Sequence, residues 1–393
     1  MTPPVYLDHA ATTPVDARVA AKMNEVLTDP GAFGNSASDS HDYGDIAAGV
    51  VEQARRQVAA AVHAQPEEVI FTSGATESNN LALWGVTHYY RERGRHLITV
   101  RTEHKAVLDP CRELERRGWS VTYLEPDRSG RLDPTQVKDA LRADTVLVSV
   151  MHVNNEIGVI QDIAAIGAVC TAHGAWLHVD AAQSVAKCEL NFAALGADLL
   201  SLSAHKAYGP KGIGALLVAR SRRGADRAAV QLTPLQSGGG QEGGLRAGTL
   251  ATHQVAGMGA AFALAATSLG ADLARIASLQ QRLWAGLSAI GGVLRNGDPQ
   301  HSVPHLLNVS FEGVEGESLL AAVRGEIAVS TGSACTSATA EPSYVLRALG
   351  RDERLAEASL RFGLGRATRE ADIDAAIAVL AREVPRLRRM GGA

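Results

Sequence analysis

Lys206 stands in the run Ser203-Ala204-His205-Lys206, and upstream of it Asp180 closes Trp176-Leu177-His178-Val179. An amine and a carboxylate in one pocket are what pyridoxal phosphate requires. The lysine holds it as a Schiff base, and the carboxylate keeps the pyridine nitrogen protonated so that the ring draws electrons. Each residue also has an ordinary use, the lysine on the surface and the aspartate as a turn cap. Ser73-Gly74-Ala75-Thr76-Glu77 supplies a third part. Small residues where a strand gives way to a helix let backbone N–H groups approach a phosphate at the positive helix end, and Thr76 adds a hydroxyl. Ser73 or Thr76 as a plain helix N-cap is the competing reading. Histidine titrates near neutrality, so His104 suits proton transfer or stacking on a cofactor ring, against a purely structural use. Asn155 and Gln183 are neutral amides suited to a ring hydroxyl or, equally, to bridging loops.

The elements around these residues follow one pattern. From Ile46 onward, Val50, Ala54, Val58 and Val62 recur every four positions, which predicts an amphipathic helix. Val69-Ile70-Phe71-Thr72 predicts a strand that turns into a helix at about Thr76. Further strands are predicted at 96–100, 145–151, 176–179 and 198–203, each followed by polar residues. Continuous apolar strands alternating with helices predict an α/β fold with a parallel sheet covered on both faces. In such sheets ligands bind at the C-terminal strand ends. Five strand ends are therefore expected to converge on one site. After about Ala260 a helix carrying Leu273, Ile276, Leu279, Leu283, Leu287 and Ile290 leads to shorter elements such as 306–311. This predicts a large domain over 15–261 and a smaller α+β domain made of 1–14 and 262–393.

Composition narrows the class. The chain has 393 residues, with 38 Lys+Arg against 42 Asp+Glu for a net charge of −4. That balance gives no general attraction to nucleic acid or anionic membrane. The Arg-rich stretch 382–389 reads as a solvated helix face. Val255 to Leu269 is short for a membrane span and reads as a buried helix. The start of the chain shows no secretion signal, so a cytoplasmic protein is expected. Cys111, Cys170, Cys188 and Cys335 are scattered without metal or disulfide spacing, so no intrinsic metal site is expected. Three of them read as buried, inert residues. Cys335 differs. It lies in Ser330-Thr331-Gly332-Ser333-Ala334-Cys335-Thr336-Ser337-Ala338, where no large apolar side chain anchors the chain, and a loop is expected.

Several motifs resemble cysteine desulfurases of the IscS/NifS type, within the class V aminotransferases. They are Tyr6-Leu7-Asp8-His9-Ala10-Ala11-Thr12-Thr13-Pro14, the run from Phe71 to Asn80, Thr102-Glu103-His104-Lys105-Ala106-Val107, Met151 to Gly158 and His205 to Gly212. The resemblance runs from residue 5 to about 389. It implies fold-type I of the pyridoxal-phosphate enzymes: a large domain with a mostly parallel seven-stranded sheet, a smaller α+β C-terminal domain, and a homodimer with sites near the subunit interface. Lys206 resembles the Schiff-base lysine and Asp180 the pyridinium partner. Gln183 and Asn155 resemble the ring-oxygen contacts, and His104 the stacked, proton-handling histidine. Ala75, Thr76, Ser203 and His205 resemble the phosphate cup, with Thr249 donated by the other subunit. Arg361 resembles the clamp for the substrate carboxylate, with Asn35 and Asn155 beside it.

The resemblance also implies an activity. L-cysteine becomes L-alanine, and Cys335 attacks the substrate sulfur as a thiolate and keeps it as a persulfide, with His104 as an aid to ionisation. The persulfide then passes to an acceptor protein, such as an iron–sulfur scaffold whose [2Fe-2S] cluster Cys335 contacts transiently. The chain stops at Gly391-Gly392-Ala393, before the tail with which housekeeping members dock a scaffold. A tRNA-thiolation carrier and a DNA-sulfur-modification partner are therefore the other acceptors. The rival readings are an aminotransferase or selenocysteine lyase of the same fold, and a scaffold without catalysis. The combination of Lys206, Asp180, His104 and Cys335 speaks against a scaffold.

Overall fold

The computed structural model describes residues 3–220, 229–331 and 342–391. In chain order its strands are β1 (Val5–Tyr6), β2 (Val69–Thr72), β3 (His96–Val100), β4 (Ser120–Leu124), β5 (Thr145–Met151), β6 (Trp176–Asp180), β7 (Leu199–Ser203), β8 (Gly214–Val218), β9 (Val293–Asn296), β10 (Leu306–Phe311), β11 (Ile327–Ala328) and β12 (Ser359–Gly363). β3, β5, β6, β7 and β8 are buried along their whole length, as strands covered on both faces must be.

Seven strands form the central sheet in the order β2-β8-β7-β6-β5-β3-β4. All neighbours are parallel except where β8 pairs antiparallel with both β2 and β7. Two antiparallel steps restore the direction, so β2 ends at the same edge as β3, β5, β6 and β7. That shared edge is where the five polar strand ends meet, as the sequence pattern predicts. The resemblance to fold-type I is likewise borne out by this mostly parallel sheet.

Two apolar cores lie on the faces of the sheet, one with Phe71, Val148, Leu177 and Leu200, the other with Leu83, Leu97, Leu147 and Leu216. A separate core gathers Leu7, Ile276, Leu283, Val309, Phe311, Leu360, Phe362 and Leu380 around the antiparallel sheet β12-β10-β9. The helix Thr252–Ser288 joins them. Its Val255, Met258 and Phe262 pack in the first core, and its Ile276, Leu279 and Leu283 in the last. The helix is therefore continuous through residue 262. By length and composition it is apolar enough to cross a membrane. In Val255–Leu269, expected as a buried helix, Val255–Gly259, Ala261, Phe262 and Ala265 are buried while the other residues are partly or fully exposed, so the helix is buried along one face only. β1 adds to β11 in parallel, and Asp8 bridges to Gly363 on β12, which ties the N-terminal arm to this separate core.

Three sequence expectations need adjustment. In the helix Asp42–Ala61 the buried face is Gly44, Ala47, Val51, Ala54 and Val58, whereas Ile46 is exposed. A strict four-residue step overruns the helical turn and drifts around the axis, so the true stripe alternates threes and fours. Cys188 is only partly buried, unlike Cys111 and Cys170. Burial nevertheless pushes its thiol up to about 12, which leaves it unreactive. Leu273, placed on the apolar stripe, is only partly buried. The arginines of 382–389 do sit on a solvated face, where Arg382 and Arg386 pair with Glu383.

Candidate active site

The turn after β2 makes one end of a cavity of about 470 Å³. Gly74 has φ 150°, a conformation that strains any residue with a side chain, and Gly214 of β8 passes directly beneath it. A Cβ on Gly214 would stand 2.6 Å from the Gly74 Cα. Glycine at both positions is what lets the turn settle on the sheet edge. The helix Ala75–Tyr89 then starts with Gly74 as N-cap and no capping side chain, so neither Ser73 nor Thr76 acts as a cap. The positive helix end is left facing the cavity, beside Thr76, Ser203 and His205. Glu77 in the first turn accepts from Ser73 N at 2.7 Å and pairs with Arg246 at 2.9 Å.

Asp180 ends β6 at the cavity floor. Its Oδ2 accepts from Asn79 Nδ2 at 2.7 Å and its Oδ1 from Ala182 N at 2.9 Å. Asn79 shares a helix face with Ala75, one turn apart, and so links the helix end to the carboxylate. Gln183 follows in the same loop, donating from Nε2 to Ala10 O at 2.8 Å. Its Oε1 accepts from Lys187 Nζ. His104 caps the helix Lys105–Arg116, its Nδ1 accepting from Ala106 N at 3.0 Å. That bond leaves the ring proton on Nε2. Burial and the charge of Lys206 lower its pKa, so the neutral ring prevails at neutral pH.

Lys206 sits in the turn after β7. The N-terminal arm clamps this turn: Thr13 donates from N at 2.8 Å and from Oγ1 at 2.9 Å to His205 O, and Tyr208 N donates to Thr13 Oγ1 at 2.8 Å. His205 Nδ1 meets Thr12 Oγ1 at 3.1 Å, and burial, then the charges of Lys206, Lys211 and Lys187, lower its pKa to about 4.

The far wall comes from the antiparallel sheet β12-β10-β9. Arg361 on β12 is 2% exposed. Its Nη1 donates to Asn155 O at 2.9 Å and its Nη2 to Asp8 Oδ1 at 2.9 Å. The other Asp8 oxygen accepts from Ser330 Oγ at 2.7 Å. Arg361 Nε, Asn155 Oδ1, Asn79 Oδ1 and Ser203 Oγ are buried with no hydrogen-bond partner among the described residues. All four residues line the cavity. Unmet polar atoms turned toward one space imply a polar ligand that completes them.

The cavity thus brings together Lys206, Asp180, His104, Gln183, Asn155, Ala75, Thr76, Ser203, His205 and Arg361. Asn35 and Thr249 are exposed and outside its lining in a single chain. Cys335 lies outside the described residues. Asn79, Asp8 and Lys187 had gone unassigned, although Asp8 and Asn79 fall within the resembling motifs. The spacing of Ala75 and Asn79 by one helical turn is the signal that could have found Asn79. Nothing local marks Asp8, whose partner is far along the chain.

An uncapped helix end with adjoining hydroxyls, a carboxylate below and a lysine alongside fit pyridoxal phosphate. The Aminotransferase class-V family matches residues 5–376. The chain is 57% identical to "Cysteine desulfurase IscS" of Methylococcus capsulatus over 98% of this chain and 93% of that one. It is similar to a solved "NifS-like protein" at 32% identity and TM-score 0.89, covering 98% of this chain and 100% of the other. A structure described as "SspA in complex with cysteine" matches at 38% identity and TM-score 0.78, over 91% and 98% of the two chains. On this sequence, this fold and this cavity, the chain belongs to the aminotransferase class V family and, within it, to the pyridoxal-phosphate-dependent cysteine desulfurases.

Proposed function

We propose that this cysteine desulfurase takes sulfur from L-cysteine onto Cys335 and hands it to an acceptor protein for iron–sulfur cluster assembly. The observation that carries the reading is one cavity in which Lys206, Asp180 and Arg361 face a common space. Lys206 Nζ would hold the cofactor, Asp180 would serve its ring nitrogen, Gln183 and Asn155 its ring oxygen, and His104 its ring. The helix end at Ala75, with Thr76, Ser203 and His205, would receive the phosphate. When bound, the cofactor supplies an electron sink for the carbon skeleton of the substrate.

The remaining work falls to side chains. Arg361 takes the substrate carboxylate through its fork, with Asn155 and Asn35 near it. Lys206 Nζ would carry the proton at the substrate Cα. Cys335 as thiolate attacks the substrate sulfur; the Cβ–S bond breaks, alanine leaves, and the sulfur stays as a persulfide. His104 can serve only as a hydrogen-bond donor through its Nε2–H, because the cap at Ala106 occupies Nδ1 and burial keeps the ring neutral. The expected role as acceptor of the Cys335 proton is therefore not available to it in this arrangement.

The exposed positions of Asn35 and Thr249 support a homodimer in which Thr249 completes the partner's phosphate cup. The separate cores support a large domain over 15–261 and a small one made of 1–14 and 262–393. The near relation to an IscS protein supports a cytoplasmic enzyme with a cluster scaffold as acceptor, with a tRNA-thiolation carrier as a further recipient. The deciding experiment is single-turnover formation of alanine and persulfide from L-cysteine, wild type against Cys335→Ser. Alanine and a trapped persulfide in the wild type alone are expected. A variant that makes alanine at the wild-type rate removes Cys335 as carrier.

A further inference from the structure

We infer that Lys187 is a positioning residue of the cofactor site: it holds the Gln183 amide so that Gln183 meets the cavity with an N–H and not with its carbonyl oxygen. The inference rests on the reading of Gln183 as a ring-oxygen partner.

A lysine that is 3% exposed needs a partner, since this residue type is rarely buried without one. Among the described residues no carboxylate pairs with Lys187; its Nζ bonds to Gln183 Oε1. Both the ammonium and the neutral amine donate, so this bond survives in either protonation state. Burial, and then the charge of Lys206, drive the group toward the neutral amine. The Gln183 amide therefore has Oε1 committed to Lys187 and one Nε2 hydrogen committed to Ala10 O at 2.8 Å. Only the second Nε2 hydrogen is left for a ligand. A flipped amide would set Oε1 against the Ala10 carbonyl and present an acceptor to the cavity. Without Lys187, Oε1 is buried with no donor, and its one relief is to turn toward the cavity.

The chemistry of the ring makes this matter. An N–H aimed at the ring oxygen favours its anionic form, and a carbonyl oxygen there opposes it. The visible absorption of the lysine-bound cofactor titrates with that oxygen, so its pH midpoint reports the amide's orientation apart from turnover. Around Lys187 the other titratable or charged groups are Lys206, Arg361, Cys188, His9, His205 and His305.

A double-mutant cycle on the holoenzyme tests the inference. Lys187→Met is expected to raise the cofactor dissociation constant roughly tenfold. It is also expected to raise the pH midpoint by about one unit. On a Gln183→Leu background the same substitution should change neither, since the residue it acts through is gone. An equal shift on both backgrounds overturns the inference, because Lys187 would then act by its own charge or packing. No shift on the native background overturns it as well. Gln183→Leu alone leaving both readouts unchanged defeats the ring-oxygen reading first, and the inference with it. If Lys187→Met fails to fold, the cycle is run with Lys187→Gln, whose shorter donor should give a smaller shift of the same sign. That shift must again vanish on Gln183→Leu.

Discussion

The two walls of the cavity are held by different means. On the sheet edge, Asp180, Gln183 and Lys206 stand at strand ends whose backbone is fixed by the parallel ladder β5-β6-β7. The far wall is Arg361 on β12, fixed by side chains from distant parts of the chain: Asp8 through an ion pair and Asn155 through its carbonyl. A ladder wall tolerates loss of one side chain because the strand stays put. A side-chain wall does not, because each removal leaves a buried group without its partner. On the proposed roles, chemistry falls where the backbone is stiff, and substrate anchoring on the antiparallel sheet that faces it.

The widest separation of the walls comes from paired truncations. Lys206→Ala should cut single-turnover alanine formation by about 10³-fold. Its denaturant midpoint should stay near the wild-type value, as the strand end keeps its ladder. Arg361→Ala should instead lower stability by about 3 kcal/mol in chemical unfolding, since a mostly buried Asp8 loses its cation. Arg361→Lys should recover only part of this, because an ammonium lacks the fork. A stable Arg361→Ala protein would erase the distinction between the walls.

Next in size is Glu156, in the same turn as Asn155. It is fully buried, and burial lifts its carboxyl from 4.5 to about 7 despite the hydrogen bond from Ser343 and the charge of Arg361. A folded pKa above the unfolded one means stability that is complete below about pH 4.5 and lost as pH rises through 7. The span amounts to about 3 kcal/mol. Glu156→Gln keeps an acceptor for Ser343 and should remove this slope, so unfolding curves of the two proteins should diverge between pH 5 and 7.5. Parallel curves would refute the assignment.

The smallest effect belongs to the ladder wall. Asn79→Ala removes one of the two donors to Asp180 and should cost about 1–3 kcal/mol. Asn79→Leu, which fills the space without donating, should show the same activity loss with less destabilisation. Equal activity in both variants and the wild type would make Asn79 a packing residue.

The chemistry-bearing strand ends were legible because a parallel sheet imposes a strong local signal. Residues 96–100 and 145–151 are unbroken β-rich runs, and each hands its last polar residues to one edge. The family resemblance as a whole, beyond its motifs, is what proposes Arg361, Thr249, Asn35 and Cys335, which no local pattern singles out for their roles. The stripe on Asp42–Ala61 was misplaced because apolar spacing marks a helix more securely than its buried side.

By itself, the sequence determined the order of strands and helices, the small residues that make the Ser73-Gly74-Ala75 turn possible, and the types of group at the sheet edge. Periodicity and steric need act over a few residues, so they can be read from neighbours along the chain. Only the tertiary structure decided that Asp8 and Ser330 flank Arg361, that Asn79 answers Asp180, that Lys187 answers Gln183, and that His104 keeps its proton on Nε2. Those choices depend on which buried donor finds which acceptor. That pairing exists only once separate cores have closed around one cavity.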